Sequence, residues 1–246
     1  MKLKIIGTGS TGNAYLLETE QEALLIECGV NIKEIKKAID FNVSKIVGCI
    51  VSHEHKDHCK AVDEVLKLGI TTYSGRKTWS KINPDNFHMS MNISHRETVK
   101  IGGFKVMAFD VKHDAVEPLG YLIEHEECGR VLFLTDTYYC KYTFPGLNNI
   151  LIEANYSKEI IDKKYGPDSD KEFLRNRILK SHFSLENCID MLKANDLSAV
   201  NNIVLIHLSD TNSNEKQFHR EVFEATQKNV SVASNGMELD FNKTPF

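Results

Sequence analysis

An α/β fold with two strand-rich halves and helices on the outside is what the sequence predicts, and three observations carry that prediction. Short apolar runs rich in β-branched residues recur through both halves of the chain, most of them followed by Gly, Asn, Asp or Ser. Amphipathic stretches at helical spacing stand between many of these runs, the alternation expected of layered α/β proteins. No flexible linker, fixed-period repeat or low-complexity segment interrupts the 246 residues, so residues 1–246 read as a single domain.

The elements follow in order. KLKIIGTG and NAYLLET read as a strand pair around a Gly/Ser/Thr turn, and ALLIECGV is a third apolar run ending at Gly29. NIKEIKKAI places Ile32, Ile35 and Ile39 on one helical face. KIVGCIV, residues 45–51, reads as a buried strand. In CKAVDEVLKLG, Ala61, Val62, Val65, Leu66 and Leu68 recur at helical spacing until Gly69 stops them. A short strand, ITTYSG, precedes a less regular segment from Arg76 to Arg96 that carries His88 and His95. FKVMAFDVKH, YLIEHEE, GRVLFLTDT and NNILIEANY are four further strands. A basic helical stretch near KEFLRNRILKS, a helix at LENCIDMLKAN, the strand NIVLIHLS, a helix from Asn214 to Gln227 and a last strand near VSVASNG complete the chain.

Composition narrows the classes. A hydrophobic content of 41% suffices for an ordinary core, and no apolar run approaches the ~18 residues of a membrane span. MKLKIIGTGS lacks the apolar stretch and cleavage site of a signal peptide, so the expected compartment is the cytoplasm. Cys28, Cys49, Cys59, Cys128, Cys140 and Cys188 form no CxxC pair, which suits reduced thiols. A net charge of −4 argues against a polybasic coating, leaving any nucleic-acid role to a local site.

That site announces itself in VSHEHKDHC, residues 51–59, between a buried strand and a helix, where α/β sheets keep their ligands. Three other apolar runs end the same way, in His113, Asp136 and His207. Singly, a polar residue after a strand is most often a turn former or a cap. Together with His53, His55, Asp57 and His58 they supply five imidazoles and two carboxylates, the inventory of two metal ions. Residues two apart in an extended loop point the same way, so His53 and His55 fit one ion while Asp57 and His58, displaced along the turn, fit another. The assignment is His53, His55 and His113 to the first ion, Asp57, His58 and His207 to the second, and Asp136 as a bridge. Two divalent ions about 3.5–4 Å apart activate water and clamp an attacking and a leaving oxygen, so hydrolysis is the expected activity. Zinc and manganese both suit such a donor set.

HEHKDH resembles the HxHxDH motif of the metallo-β-lactamase superfamily, and His113, Asp136 and His207 follow in that superfamily's order. The resemblance implies a metallo-β-lactamase αβ/βα four-layer sandwich of two similar halves, with a dinuclear site at one edge of the packed sheets. One departure is visible: Glu27 in ECG stands where many members have Asp in a DxG turn, so the contact usually made there to the metal loop is expected to be altered. GTGSTGNAYLL, VKHDAVEPLGYLIE, SHFSLEN and HLSDTN resemble motifs of the YycJ/WalJ group of small nucleases, which includes phage-encoded chains. What that implies is a 5′ to 3′ exonuclease acting on DNA.

Local chemistry is compatible with a phosphodiester substrate. Arg175 and Arg177 can hold a phosphate, His182 can protonate the leaving oxygen, and Ser10, with Thr8 and Thr11, can bind phosphate through hydroxyls and amides. Asp57, Asp136 and His182 are thus the expected catalytic residues. The plainer reading of Arg175 and Arg177 is a solvated helix face, with Asp168, Asp170 and Glu172 close by. His88, His95, His125 and His219 have surface or packing roles. Competing substrates are a small or cyclic phosphodiester and, with less support, a thioester of the glyoxalase II kind or a transfer-RNA 3′ end. A non-catalytic binding module on the same fold is the alternative of another class.

Overall fold

The computed structural model describes residues 1–165 and 172–245. Strands β1 (Lys2–Gly7), β2 (Ala14–Glu18) and β3 (Ala23–Ile26) form a meander. After helix α1 (Ile32–Ala38), β4 (Ile46–Ile50) leads through α2 (Lys56–Cys59) and α3 (Val62–Lys67) to β5 (Thr72–Ser74), α4 (Arg76–Ile82) and β6 (Ser90–Asn92). A second meander holds β7 (Thr98–Ile101), β8 (Phe104–Asp110), β9 (Leu119–His125) and β10 (Gly129–Leu134). It is followed by β11 (Asn149–Glu153), α5 (Lys158–Lys164), α6 (Glu172–Ser181), α7 (Leu185–Lys193), β12 (Asn202–Ile206), α8 (Glu215–Thr226), β13 (Asn229–Val232) and β14 (Glu238–Asp240).

The strands make two seven-stranded sheets, ordered β14-β1-β2-β3-β4-β5-β6 and β13-β12-β11-β10-β9-β8-β7. Each has three antiparallel pairings followed by three parallel ones, so the halves repeat one another. The repeat is closed by exchange: β14, from the far end of the chain, pairs with β1. Burial divides into the layers this predicts. Leu3, Ile5, Tyr15 and Leu17 of the first sheet share one apolar cluster with Phe104, Val106, Tyr121 and Phe133 of the second, filling the space between sheets. Leu16, Leu25 and Cys49 pack outward on Ile35, Val65, Leu66 and Trp79, while Leu132, Ile150 and Leu205 pack on Leu185, Cys188, Phe218 and Val222. This is the four-layer α/β sandwich expected. No helix among the described residues is long and apolar enough to cross a membrane.

Short elements account for most differences from the sequence reading. The irregular segment after Arg76 holds α4 and β6, and β7, α5 and β14 were not anticipated. Both β6 and β14 span three residues, too few to establish a period, so pairing with a neighbour defines them, not propensity. Asp57 and His58 lie on α2, whose N-cap position is His55, and not in a loop.

At the opposite end of β2 from the site, Glu18 accepts ion pairs from Lys4 and Lys45, each at 2.6 Å. Burial would raise this carboxyl, and the two ammonium groups outweigh it, leaving it below the ordinary glutamate value. The folded value is the lower one, so the stabilisation is present above the ordinary carboxylate range and is lost as pH falls through the lowered folded value. Glu18→Gln is expected to cost about 2 kcal/mol at neutral pH. Urea midpoints of the two proteins should converge in acid; a gap that persists there would remove the ion pairs as its cause.

Candidate metal centre

The charged strand ends gather at one edge of the sandwich. His53 to His58 follow β4, His113 follows β8, Asp136 follows β10 and His207 follows β12. Three of the chain's left-handed residues, Glu27 (φ 62°), Asp136 (φ 44°) and His207 (φ 55°), stand just after β3, β10 and β12. Such backbone costs about 1–3 kcal/mol per residue and persists where surrounding structure fixes it, a pattern common at functional sites. Glu27 and Asp136 occupy corresponding places, each after the strand at which its sheet passes from antiparallel to parallel pairing.

Backbone contacts fix α2. Asn13 N donates to Asp57 O (2.7 Å), Cys28 N to His58 O (2.9 Å) and Ala61 N to Cys28 O (2.8 Å). Gly29 makes this approach possible, since a Cβ there would stand 1.7 Å from the Asp57 carbonyl oxygen.

Three groups of donor atoms result, all containing Asp136; two are the sets expected from the sequence, and the third joins Asp136 and His207 to Glu153 and His182. In the first, His55 Nδ1 lies 3.0 Å from His53 Nε2 and 3.2 Å from His113 Nε2, with Asp136 Oδ2 3.4 Å and 3.5 Å from those two Nε2 atoms. In the second, His58 Nε2 is 3.4 Å from Asp57 Oδ2 and 3.1 Å from Asp136 Oδ2, while His207 Nε2 is 3.3 Å from Asp57 Oδ2 and 3.6 Å from Asp136 Oδ1. Tetrahedral coordination at a metal–nitrogen length near 2.0–2.1 Å sets edges of roughly 3.3–3.4 Å, so the spacing fits a divalent cation in each group.

The outward nitrogens support the same reading. His113 Nδ1 donates to Ser181 O at 2.7 Å, which leaves its Nε2 a bare lone pair, and His53 Nδ1 meets Ser52 Oγ at 2.8 Å. One proton on His55 Nδ1 could satisfy only one of the two Nε2 atoms beside it; a cation satisfies all three. Glu27, fully buried, accepts from Ser52 N with Oε1 and faces His58 Nδ1 with Oε2 at 3.5 Å. That Oε2 and His58 Nδ1 both lack a hydrogen-bond partner among the described residues, so Glu27 faces the metal loop at ion-pair distance without a hydrogen bond.

Electrostatics separates the two groups. Burial pushes His53 and His113 down, toward the neutral form a ligand needs. Burial works against charge on His207 as well, yet Asp136, Asp57 and Glu153 push it up to about 10. His58 is also raised, against its burial, by Asp136 and Glu27. The carboxyls answer in kind: burial would raise Asp136 and Asp57, but the neighbouring imidazoles hold both well below the usual range. Without metal, protons on His58 and His207 thus balance a charge that a cation would balance when bound.

Beyond these seven residues, His182 Nδ1 donates to Glu153 Oε1 at 2.7 Å and lies 3.8 Å from Asp136 Oδ1. Glu153 was not singled out in the sequence. It is fully buried, accepts from Thr137 N and Phe183 N, and sits 3.5 Å from His207 Nδ1. Its signal was available, an acid closing the apolar run NILIE as Asp136 closes VLFLTD. Asn13 and Asn155 were also missed: Asn13 Nδ2 reaches Asp57 O and His58 Nε2, and Asn155 Nδ2 reaches both His207 O and Nδ1.

The expected phosphate ligands divide. Arg175 is engaged by Asp162 of α5 at 2.6 Å, while Arg177, more exposed, reaches Asp114, itself 3.3 Å from His113 Nε2. Arg177 is therefore the freer cation beside the site. Ser10 lines a groove of about 610 Å³ with Asp57, Lys56, Lys60 and Lys81. Asp168 and Asp170 lie outside the described residues. His95 pairs with Asp110 and stacks on Tyr142, and His125 meets Glu22, both away from the two donor groups.

A sandwich of repeated halves with this histidine and aspartate cluster at its edge defines a class. The chain belongs to the metallo-β-lactamase superfamily, the beta-lactamase superfamily domain matching residues 22–208, and is a metal-dependent hydrolase. Among curated relatives it is similar to exodeoxyribonuclease WalJ of Streptococcus pneumoniae, 28% identical over 98% of this chain and 92% of that one. Exodeoxyribonuclease YycJ of Bacillus anthracis is 28% identical over 87% of this chain and 85% of its own. Among solved structures, the metallo-β-lactamase fold protein YhfI from Bacillus subtilis aligns with a TM-score of 0.70 at 15% identity, covering 97% of this chain and 98% of that one. Human short-form tRNase Z aligns with a TM-score of 0.65 at 16% identity, covering 98% and 99%. These two share the fold.

Proposed function

We propose that this chain is a dinuclear phosphodiesterase acting on nucleic acid, a 5′ to 3′ DNA exonuclease, with zinc or manganese as its divalent ions. The observation that carries the reading is the convergence of two four-donor groups on one shared carboxylate, Asp136. The names and extensive overlap of the WalJ and YycJ relatives support DNA as the substrate.

Metal ions bound by such groups supply a Lewis acid for the phosphoryl oxygen and lower the pKa of water. The chain's own residues do the rest. His53, His55 and His113 hold one position, Asp57, His58 and His207 the other, and Asp136 ties the two together. Arg177 offers a guanidinium to a non-bridging phosphate oxygen. Glu153 holds His182 by its Nδ1 and, against the effect of burial, raises its pKa, so that the imidazolium can give its Nε2 proton to the departing oxygen.

His182→Ala is expected to lower kcat by about 10²–10⁴-fold while leaving two metal ions per chain by elemental analysis. Loss of metal along with activity would move His182 from proton donor to ligand. The reading as a whole is tested by incubating end-labelled single- and double-stranded DNA with metal-stripped protein resupplied with manganese or zinc. Metal-dependent release of 5′ nucleotides is the expected result. Intact DNA alongside hydrolysed bis(p-nitrophenyl) phosphate would assign a smaller phosphodiester as substrate.

A further inference from the structure

The segment Thr137–Tyr142, TYYCKY, begins immediately after Asp136, and its role is not accounted for by the metal centre. Tyr138 is 38% exposed and Tyr139 58% exposed. A single exposed aromatic side chain needs no explanation. Two in succession, on a backbone this firmly held, beside the acid shared by both donor groups, are a different matter.

The backbone is tied down from three directions. Tyr138 N donates to Lys112 O (3.0 Å), and Lys112 precedes His113 in the chain. Asn187 Nδ2, from the first turn of α7, donates to Tyr138 O (3.0 Å). Thr137 Oγ1 accepts from Lys112 N and Tyr139 N and donates to Tyr139 O. The rings are not used in the same way. Neither Tyr138 nor Tyr139 has a side-chain hydrogen bond or ring contact among the described residues. Their Cα atoms lie within about 7 and 11 Å of the Asp136 Cα by chain length alone. A cation accompanies them: Lys112 is exposed with no ion pair among the described residues, whereas Lys141, beside Tyr142, is paired with Asp110 at 3.3 Å.

From this we infer that Tyr138 and Tyr139 form a stacking platform for nucleobases of a single strand whose adjoining phosphate lies at the metal centre, with Lys112 beside the backbone. Rigid backbone, unpartnered aromatic faces and adjacent positive charge are the combination that holds single-stranded nucleic acid without reading its sequence. A small phosphodiester lacking a base has no use for the platform. This inference deepens the phosphodiesterase reading and rests on it for the placement of the phosphate.

The test is a cycle between protein and base. Binding of short single-stranded phosphorothioate oligodeoxynucleotides, intact or with the base removed from each nucleotide in turn, is measured by fluorescence anisotropy. The proteins compared are the metal-loaded wild type, the Tyr138→Leu/Tyr139→Leu double variant and the Tyr138→Phe/Tyr139→Phe double variant. Base removal at the platform positions is expected to weaken wild-type binding by about 5- to 100-fold, the range for one stacked base. The phenylalanine variant should behave like wild type, because the ring carries the contact. The leucine variant should bind intact and abasic strands alike. An equal loss on base removal in wild type and leucine variant, or no binding by wild type, overturns the platform. Hydrolysis of ordinary DNA is scored separately. Base-dependent binding through the tyrosines without cleavage refutes the nuclease reading alone, and cleavage indifferent to the bases refutes the platform alone.

Discussion

Asp136→Ala is expected to lower metal-dependent hydrolysis by about 10³-fold or more, with the far-ultraviolet circular dichroism of the wild type retained. The size follows from position. Asp136 lies in both of these donor groups, its Oδ2 facing His53 and His113 of the first and His58 of the second and its Oδ1 facing His207, so its loss removes a ligand from both positions and exposes each set of histidines to the other. Several kcal/mol of transition-state stabilisation then disappear, and about 4 kcal/mol corresponds to a factor of 10³. The fold should survive because Asp136 follows β10 and is not part of its ladder, and the next residue is held independently, Thr137 N donating to Glu153 Oε2. Removing a carboxylate that keeps His58 and His207 protonated also lowers the pKa of both, so less proton release should accompany any residual metal uptake. Turnover within tenfold of wild type would show that Asp136 is not shared between the ions.

Gly29→Ala should act on the same centre without touching a donor atom. A methyl group there would meet the Asp57 carbonyl oxygen at 1.7 Å and the His58 amide nitrogen at 2.8 Å, so α2 must withdraw by more than an ångström. Overpacking of this kind costs about 2–3 kcal/mol, and an ångström of misplacement in a reacting centre can cost about 10²-fold in rate. The second donor group rides on α2 through Asp57 and His58, whereas His113 of the first does not. Metal content should therefore fall from two ions toward one, alongside a lower urea midpoint. Two tightly held ions at wild-type stability would mean that α2 is far more pliable than its contacts with Asn13 and Cys28 indicate.

The donors most visible in the sequence share one trait, a polar side chain that abruptly ends an apolar run. His113, Asp136 and His207 stand out because nothing else explains them, and the spacing within HEHKDH by itself separates its donors into two sets. Glu153 has the same trait but is followed by Ala and Asn, which read as an ordinary strand end. Asn13 could not be found this way, since its value lies in reaching Asp57 across 44 positions, a contact created by packing the first meander against α2. The layered architecture was legible from long runs such as FKVMAFDV, while β6, β14 and α4 were not, because three- and seven-residue elements carry too little periodicity to be told from turns. The arginines show the reverse limit. Sequence proximity put Arg175 and Arg177 on equal footing, and only their partners and exposure in the fold distinguish them.

The pairing of β14 with β1 joins Lys2 to Asp240. During synthesis, the outer edge of β1 therefore waits for nearly the whole chain to emerge before its partner exists. Until then it presents unpaired amides and carbonyls, a template on which another nascent copy could add a strand. Closure of that edge is a contact of very long sequence separation, the kind that forms slowly. The step most exposed to aggregation is thus set at the seam between the two halves.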